Sequence, residues 1–260
     1  PNTQPLCLYL IASAMMVFIG AVDDKYDLSV GVRLVGQLLI ASLMIYGVGG
    51  YIANLGDLFG FGDIELGPVG IIFTYFAIIV VINAYNMVDG IDGLIGSLSL
   101  NTFTAIAVLF LMSGNKGYLT YPLILATATL PYLIFNLGYF KGFSKKIFMG
   151  DAGSMFIGLS VIWLLTMGTQ NESIAFRPIT ALWLCAIPLM DMLAIVMRRY
   201  RKGKSPFKPD RDHLHHILQR AGLSSRQTLI AITAFSVFMS LLGVLGEYFQ
   251  VPESIELVLF

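Results

Sequence analysis

The sequence predicts an all-α, polytopic transmembrane helix bundle. Of its 260 residues, 57% are hydrophobic and only 12% are charged, whereas soluble domains carry about 25% charged residues. A soluble protein of this size has too little interior to hide so much apolar surface from water. The apolar residues also fall into segments of roughly 20, the length that a helix needs to cross a bilayer. Barrel strands would instead be about ten residues long and would alternate strictly.

Eight segments are long and apolar enough to span a membrane, and the start of a ninth follows near residue 255. The eight lie at residues 6–22, 32–50, 69–87, 93–112, 118–138, 153–169, 178–197 and 228–246. We expect residues 1–260 to form a single transmembrane domain. Because the chain begins without Met and ends inside an apolar stretch, we also expect a fragment that lacks N-terminal spans and the C-terminal end.

Positive charge is distributed unequally between the two sides of the predicted bundle. Of the 16 lysines and arginines, all except Lys116 and Arg177 lie in or beside the connections 21–31, 88–92, 139–152 and 198–227. Because basic residues flank the cytoplasmic side of membrane helices, these connections are predicted to be cytoplasmic. The formal net charge of zero gives no indication of a nucleic-acid partner. The two cysteines show neither disulfide nor zinc spacing.

Two adjacent carboxylates, Asp23 and Asp24, end the first apolar segment. Neighbouring carboxylates repel each other and persist most easily when a cation lies nearby. A hydrated loop is the structural alternative. The pair is a functional candidate because the other polar motifs are predicted on the same side of the membrane.

Four oxygen-bearing side chains follow one another at three-residue intervals at the end of the third segment: Asn83, Asn86, Asp89 and Asp92. Residues three apart share a helix face, and we expect this spacing to gather the four oxygens into one wall. Such ligands suit Mg²⁺ and a metal-bound phosphate. The structural alternative is the capping of a helix end by Asn and Asp.

Two single aspartates extend the pattern. Asp151 is flanked by glycines at the start of the sixth segment, where it is either a helix N-cap or a metal ligand at the membrane surface. Asp191 lies inside the seventh segment. A carboxylate there costs several kcal/mol unless it pairs or faces water. We therefore expect Asp191 to face the bundle interior and to support the site.

A long basic connection, residues 198–227, contains every histidine of the chain: His213, His215 and His216. Their spacing does not form a His-x-x-x-His zinc pair. Arg198, Arg199 and Arg211 suit a pyrophosphate, because a guanidinium grips phosphate oxygens in bidentate fashion. The structural alternative is flanking positive charge, with or without contact to anionic lipid; it explains residues 198–204 well but accounts poorly for the histidines.

Together these motifs indicate phosphoryl transfer at a membrane surface. The chain has no Walker-type phosphate loop and no Gly-x-Ser-x-Gly signature for acyl transfer. Acidic metal ligands and cationic clamps are the parts that phosphoryl transfer needs. A site at the bilayer surface suggests one lipid substrate and one soluble substrate.

Four motifs carry a resemblance to a known family: Val-Asp-Asp at 22–24, Asn-Ala-Tyr-Asn-Met-Val-Asp-Gly-Ile-Asp-Gly-Leu at 83–94, Phe-Met-Gly-Asp-Ala-Gly-Ser at 148–154, and Asp-Arg-Asp-His-Leu-His-His at 210–216. Over nearly its whole length the chain resembles the polyprenyl-phosphate N-acetylhexosamine 1-phosphate transferases (glycosyltransferase family 4). It is most similar to the bacterial branch that starts enterobacterial common antigen and many lipopolysaccharide O-antigens. Members have about 10–11 spans.

The resemblance implies an inner-membrane enzyme that acts at the cytoplasmic face. UDP-N-acetylglucosamine and undecaprenyl phosphate would give undecaprenyl-pyrophosphoryl-N-acetylglucosamine and UMP, with Mg²⁺ as cofactor and Mn²⁺ as a substitute. Membrane lipid and no nucleic acid are the expected surroundings. The oligomeric state stays open, with a homodimer as one option.

The resemblance also implies roles for the candidate residues. Asp151 would be the main metal ligand, with Asn86 close to the metal and pyrophosphate. Asp23 and Asp24 would act on the lipid phosphate or the metal, and Asp89 and Asp92 on the nucleotide side. The remaining candidates would bind substrate: Asn83, Arg198, Arg199, Arg211, His213, His215 and His216.

Departures from the related peptidoglycan enzyme favour the N-acetylglucosamine branch. That enzyme has Lys four positions after the start of its Asp-Asp motif, where this chain has Asp27, and three consecutive histidines, where Leu214 intervenes here. Another N-acetylhexosamine stays an alternative substrate. A transporter and a lipid-binding scaffold are the rival classes. A transporter would place its polar groups near the membrane midplane, and a scaffold leaves the paired aspartates unexplained.

Overall fold

The computed structural model describes residues 3–138, 146–170, 174–203 and 213–260, which are helical apart from loops and one isolated β-bridge between Asn54 and Glu65. The helices of this part of the chain are α1 (Gln4–Tyr26), α2 (Val30–Ser42), α3 (Val69–Val88), α4 (Leu94–Met112), α5 (Lys116–Asn136), α6 (Gly150–Gln170), α7 (Pro178–Leu184), α8 (Ala186–Arg201), α9 (Leu214–Arg220), α10 (Ser225–Tyr248) and α11 (Glu253–Leu259). A π-helical turn, Leu43–Gly47, continues α2. The predicted all-α class is confirmed.

Among the residues that the structure describes, seven helices are long and apolar enough to cross a membrane, or eight if α7 and α8 together form one span. The chain is therefore a multi-pass membrane protein. The predicted span at 178–197 is not one straight helix, because α7 and α8 meet at Cys185 with a bend of 80°. Pro188 explains the break: it has no N–H to donate to the carbonyl of Leu184, and its ring crowds that carbonyl.

The core of the bundle lies around α6, which packs against α1 and α3. In the most apolar stretch of each helix, 78% of the residues of α6 are buried but only 17% of those of α5. Helix α6 is therefore central and α5 peripheral. Large apolar side chains such as Phe18, Val35 and Ile72 point outward from the bundle. In water this surface would be unfavourable, whereas in a bilayer it faces hydrocarbon.

Two glycines allow helices to approach α6 closely. A Cβ on Gly20 of α1 would lie 2.3 Å from the Cα of Ala152, and a Cβ on Gly158 of α6 would lie 2.6 Å from the Cα of Ile82 in α3. Any larger residue would force these backbones apart. Both contacts therefore set the spacing of α1, α3 and α6, whose ends carry the acidic motifs.

The two ends of the bundle are named here by their charge. The basic end holds Asp23, Asp89, Asp151 and His213, together with most of the lysines and arginines that the structure describes. The acidic end holds the loop 48–68, the start of α7, the end of α10, and α11. At seven residues, α11 is about 10 Å long, too short to cross a bilayer; the ninth span stays a prediction.

Candidate active site

The centre of the basic end is the N-terminus of α6. The Asp24 carboxylate at the end of α1 accepts hydrogen bonds from the backbone N–H groups of Asp151, at 2.8 Å, and Ala152, at 3.2 Å. These N–H groups have no partner within their own helix, and the helix dipole favours a negative charge there. Asp24 therefore caps α6 from another helix, and it does so next to Asp151.

Asn86 connects α3 to the same point. Its amide nitrogen donates to Oδ1 of Asp151 at 2.7 Å and to Oγ of Ser154 at 2.9 Å. The carboxylates of Asp23 and Asp24 both interact electrostatically with Asp151. The structure thus brings together Asp23, Asp24, Asn86 and Asp151, which the sequence places in three separate motifs.

Asp23 differs from its neighbour in its partners, which belong to the α1–α2 connection and to α2 instead of α6. Oδ2 accepts from Nη1 of Arg33 at 2.9 Å, and Oδ1 accepts from the backbone N–H of Leu28 at 2.8 Å. The residue is buried, with 4% of its surface exposed. Asp23 therefore holds the α1–α2 connection and positions Arg33.

The prediction that Asp89 and Asp92 continue the helix face of Asn83 and Asn86 was wrong. Helix α3 ends at Val88, and Asp89 has ψ of 67°, outside the helical range. Gly90 and the turn that follows redirect the chain, so the three-residue spacing no longer means a shared face. Asp92 instead forms an ion pair with Lys146.

Asp89 lies at the entrance of the site, near Asp151 and Asp92. Its carboxylate accepts no hydrogen bond from the described residues. Part of its surface is in contact with water, yet the adjacent bundle removes much of its hydration. This loss of hydration, followed by the negative charges of Asp151 and Asp92, raises the pKa of the Asp89 carboxyl to about 6. A cation at this position would relieve the repulsion.

Asn83 faces α2 instead of α6. Its amide nitrogen donates to Oε1 of Gln37 at 2.9 Å and to the carbonyl of Ile79 at 2.8 Å. Gln37 is fully buried. The contact fixes the side of α3 that lines a groove beside the acidic cluster.

This groove runs between α2, α3 and α8 and has a volume of about 480 Å³. Its walls are mostly apolar, from residues such as Leu34, Val80 and Val196. The polar side chains on its lining are Arg33, Asn83, Asn86, Arg199 and His213. A second, apolar cavity of about 320 Å³ shares Phe76, Val80 and Leu193 with the groove. The two cavities thus form one long apolar space, and polar side chains line the end of it that lies beside the acidic cluster.

The three histidines cluster at α9. His213 precedes the helix and stacks on His215, with ring centroids 5.6 Å apart, while His215 and His216 are 4.2 Å apart. The His213 ring binds Asp191 through Nδ1, at 3.0 Å from Oδ2. Asp191 is buried as expected, and the contact attaches α8 to the start of α9.

His215 packs on the acidic motif. A Cβ on Gly90 would lie 2.1 Å from Cε1 of the His215 ring, so Gly90 leaves the space that the ring occupies. Both ring nitrogens are buried without a hydrogen-bond partner among the described residues. Burial, followed by the nearby His216 and His213, lowers the pKa of His215 to about 4, so the ring is neutral near pH 7.

The predicted arginines fall into three situations. Arg199 is buried and lines the groove. Arg198 is half-buried and donates from Nε to the carbonyl of Ala194 at 3.2 Å. Arg211 lies outside the described residues.

Comparison with known proteins identifies the family of this chain. The sequence pattern of the family described as Glycosyl transferase family 4 matches residues 6–169. The chain belongs to glycosyl transferase family 4. It is 47% identical over 254 residues to the undecaprenyl-phosphate alpha-N-acetylglucosaminyl 1-phosphate transferase of Escherichia coli K12, covering 97% of this chain and 69% of the relative. Proteins of the same name from Yersinia pestis and Haemophilus influenzae are 45% identical over 97% of this chain and 46% identical over 95%, and 69% of each relative is covered.

The site of this family 4 member fits Mg²⁺ as a partial ligand set. Within the described ranges, no three His, Cys, Asp or Glu side chains are grouped closely enough to hold a metal alone. Mg²⁺ commonly binds through one or two carboxylates together with substrate phosphates and water. Asp24, Asp151 and Asn86 supply oxygens of this kind, with an excess of negative charge nearby.

Several residues of the family 4 site were missed by sequence reasoning. Ser154 accepts from Asn86, and Arg33 pairs with Asp23. Asn136 of α5 accepts from the N–H of Gly93 at 2.5 Å and donates to the carbonyl of Ile147 at 2.7 Å. The signal for Arg33 was a lone cation in the first turn of an apolar segment. Asn136 had no comparable signal, since its role depends on two distant loops.

Proposed function

We propose that this protein transfers N-acetylglucosamine 1-phosphate from UDP-N-acetylglucosamine to undecaprenyl phosphate. The observation that carries the proposal is the junction of a long apolar groove with the Asp24–Asn86–Asp151 cluster. Such a junction suits a lipid whose single phosphate reacts while its hydrocarbon tail stays in the membrane. The names of the relatives support the choice of sugar and lipid.

In the proposed reaction, an oxygen of the lipid phosphate attacks the β-phosphorus of the nucleotide sugar. The bond from that phosphorus to the bridging oxygen breaks, and UMP leaves with the electron pair. The products are undecaprenyl-pyrophosphoryl-N-acetylglucosamine and UMP. The lipid phosphate is mostly a dianion at pH 7, because its second pKa is near 6, so no general base is required.

The side chains of the site divide this work. Apolar walls of α2, α3 and α8 would hold the polyprenyl chain, and the guanidinium groups of Arg33 and Arg199 on the lining would hold its phosphate. Asp24, Asp151 and Asn86 would hold Mg²⁺, which supplies charge neutralisation to the pyrophosphate when bound.

Direct transfer is favoured over a phospho-enzyme. Asp23 is buried, and both of its oxygens accept hydrogen bonds, so it is a poor nucleophile. Asp24 is turned toward the backbone N–H groups of α6. A covalent route would allow exchange of labelled UMP into UDP-N-acetylglucosamine in the absence of lipid, and we expect no such exchange.

We further propose that the basic end is cytoplasmic, that the membrane is the bacterial inner membrane, and that the reaction starts enterobacterial common antigen or O-antigen lipopolysaccharide. The distribution of lysine and arginine supports the orientation, and a soluble nucleotide sugar is available only on that side. The relatives' printed names support the chemistry without naming the polymer.

The test uses the protein in membranes with sugar-labelled UDP-N-acetylglucosamine, undecaprenyl phosphate, and either Mg²⁺ or EDTA. We expect labelled lipid and UMP to form in equal amounts, and only with Mg²⁺. Transfer from a different UDP-N-acetylhexosamine would correct the sugar. Absence of transfer from every UDP-sugar, by folded protein, would refute the proposed function.

A further inference from the structure

Asp191 is a buried carboxylate that faces the start of α9. The residue is 7% exposed. Its Oδ2 lies 3.0 Å from Nδ1 of His213, and its Oδ1 accepts from the backbone N–H of Leu214 at 2.8 Å. The two oxygens therefore contact two consecutive residues, one each, which fixes the carboxylate and the imidazole relative to each other.

The pairing determines which nitrogen of His213 is available. An ionised carboxylate only accepts hydrogen bonds, so Nδ1 must carry the proton. Nε2 is then the nitrogen left for a ligand, and it has no hydrogen-bond partner among the described residues. His213 lines the groove together with Asn86 and Arg199.

We propose that Asp191 is a positioning residue, which orients His213 and holds it as the Nδ1–H tautomer so that Nε2 is presented as a hydrogen-bond acceptor to a hydroxyl or N–H group of a substrate in the groove. The identity of that substrate rests on the proposed function. The orientation and the tautomer do not, because they follow from the contacts of Asp191 alone.

The competing explanation is that Asp191 serves only as a cap for α9. Asp191→Asn separates the two roles. The amide oxygen can still accept from Leu214, whereas the amide nitrogen can only donate to the ring. Nδ1 must then become the acceptor, and the proton moves to Nε2. The cap is retained while the tautomer is inverted.

The first experiment observes the tautomer directly. The chain has three histidines, so ¹⁵N-histidine labelling of the protein in lipid gives few signals, and His213→Ala assigns those of His213. We expect an Nδ1–H imidazole in the wild type and an Nε2–H imidazole in Asp191→Asn. An Nε2–H ring in the wild type, or no change in the variant, would overturn the proposal.

The second experiment is a double-mutant cycle on the transfer rate. We expect Asp191→Asn to lower kcat about 10- to 100-fold, as for other partners that orient a functional histidine. Adding Asp191→Asn to His213→Ala should cause no further loss. A wild-type rate in Asp191→Asn would overturn the proposal. A full additional loss in the double variant would also overturn it, because Asp191 would then act independently of His213.

Asp27→Asn is the matched control, since Asp27 is an exposed aspartate of the same end and its replacement should leave kcat unchanged. If the wild type transfers no label from any UDP-sugar, the proposed function fails. The ¹⁵N measurement then still decides the inference about Asp191.

Discussion

At the acidic end of the bundle two glutamates converge on one cation, whereas at the basic end carboxylates lie close to one another. Arg177 binds Glu247 at 3.2 Å and Glu256 at 2.7 Å. Its Nη1 and Nη2 also donate to the carbonyls of Val251 and Gly246. Asp24 and Asp89, by contrast, have no cationic partner among the residues that the structure describes.

The difference teaches how to separate structural from functional acids in one membrane protein. A buried carboxylate that is paired and hydrogen-bonded within the fold needs nothing further. Carboxylates held close together by backbone N–H groups and an amide leave negative charge that a ligand can neutralise. By this criterion the carboxylates of the acidic end hold α7, α10 and α11 together, and those of the basic end carry negative charge that a bound cation would neutralise.

The largest expected effect is on the basic end. Asp151→Asn should lower the transfer rate at least about 100-fold, because the amide keeps the hydrogen bond to Asn86 but loses the charge. The measurement is label transfer in membranes, with thermal unfolding to verify the fold. Ser154→Ala is the control, since it removes a neutral contact of the same Asn86 and should cost less than about tenfold. Equal losses in the two variants would assign the effect to the hydrogen-bond network.

The next effect should appear in stability at the acidic end. Arg177→Ala leaves Glu247 and Glu256 without their cation and should lower the free energy of unfolding by about 3 kcal/mol. The rate per folded molecule should stay near the wild-type value. Thermal unfolding in detergent measures the change. Lys116→Ala removes an exposed charge at the same end and should have little effect; similar losses would contradict the special role of Arg177.

A smaller effect should follow from the spacing of α1 and α6. Gly20→Ala places a Cβ against the Ala152 backbone, so Asp24 should be drawn away from the N-terminus of α6 and activity should fall about tenfold. Gly31→Ala is the control, because its Cβ would meet no atom within 4 Å. Transfer rates of both variants test this, and an unimpaired Gly20→Ala enzyme would show that the close contact is dispensable.

The smallest effect should be on the pH dependence of stability, to which Glu256 at the acidic end and His215 at the basic end should contribute with opposite signs. Burial raises the pKa of Glu256 from 4.5 to about 7 despite Arg177, so the native state retains a proton that the unfolded state releases. This contribution to stability is lost as the pH rises from 4.5 to 7. The pKa of His215 is lowered from 6.5 to about 4, so its contribution is lost as the pH falls from 6.5 to 4.

Melting temperatures measured from pH 4.5 to 7.5 test both signs. Glu256→Gln should remove the loss of stability toward high pH, and His215→Gln the loss toward low pH. A wild-type profile in both variants would show that other groups control the pH dependence.

The sequence predicted the elements well because each span is a run of apolar residues with its own length signal. It also placed Asp24, Asn86 and Asp151 in one site, because the three lie at the same side of the membrane. The bend at Cys185 was missed, although Pro188 was visible, because proline inside a membrane helix does not always break it; α5 contains Pro122 and Pro131 without a break.

The partners within the site were less predictable than its members. Asp23 and Asp24 are adjacent in sequence, yet one binds Arg33 and the other caps α6. Which of the two turns inward depends on the packing of α1 against α6 through Gly20. Likewise, the end of α3 at Val88 separates Asp89 from the face of Asn86, and no spacing rule applies across a turn.

Helix α6 begins at Gly150, next to Asp151, and ends at Gln170. The Gln170 side chain accepts from the N–H groups of Ala53 and Asn54 in the opposite loop. The 21 residues of α6 form a rod of about 30 Å, which is close to the hydrocarbon thickness of a bilayer. When one tip of this rod lies at one water boundary, the other tip lies at the other. Asp151 would thereby lie at the depth of the lipid headgroups, so that in the proposed reaction an acceptor phosphate would meet the reacting atoms without rising out of its own leaflet.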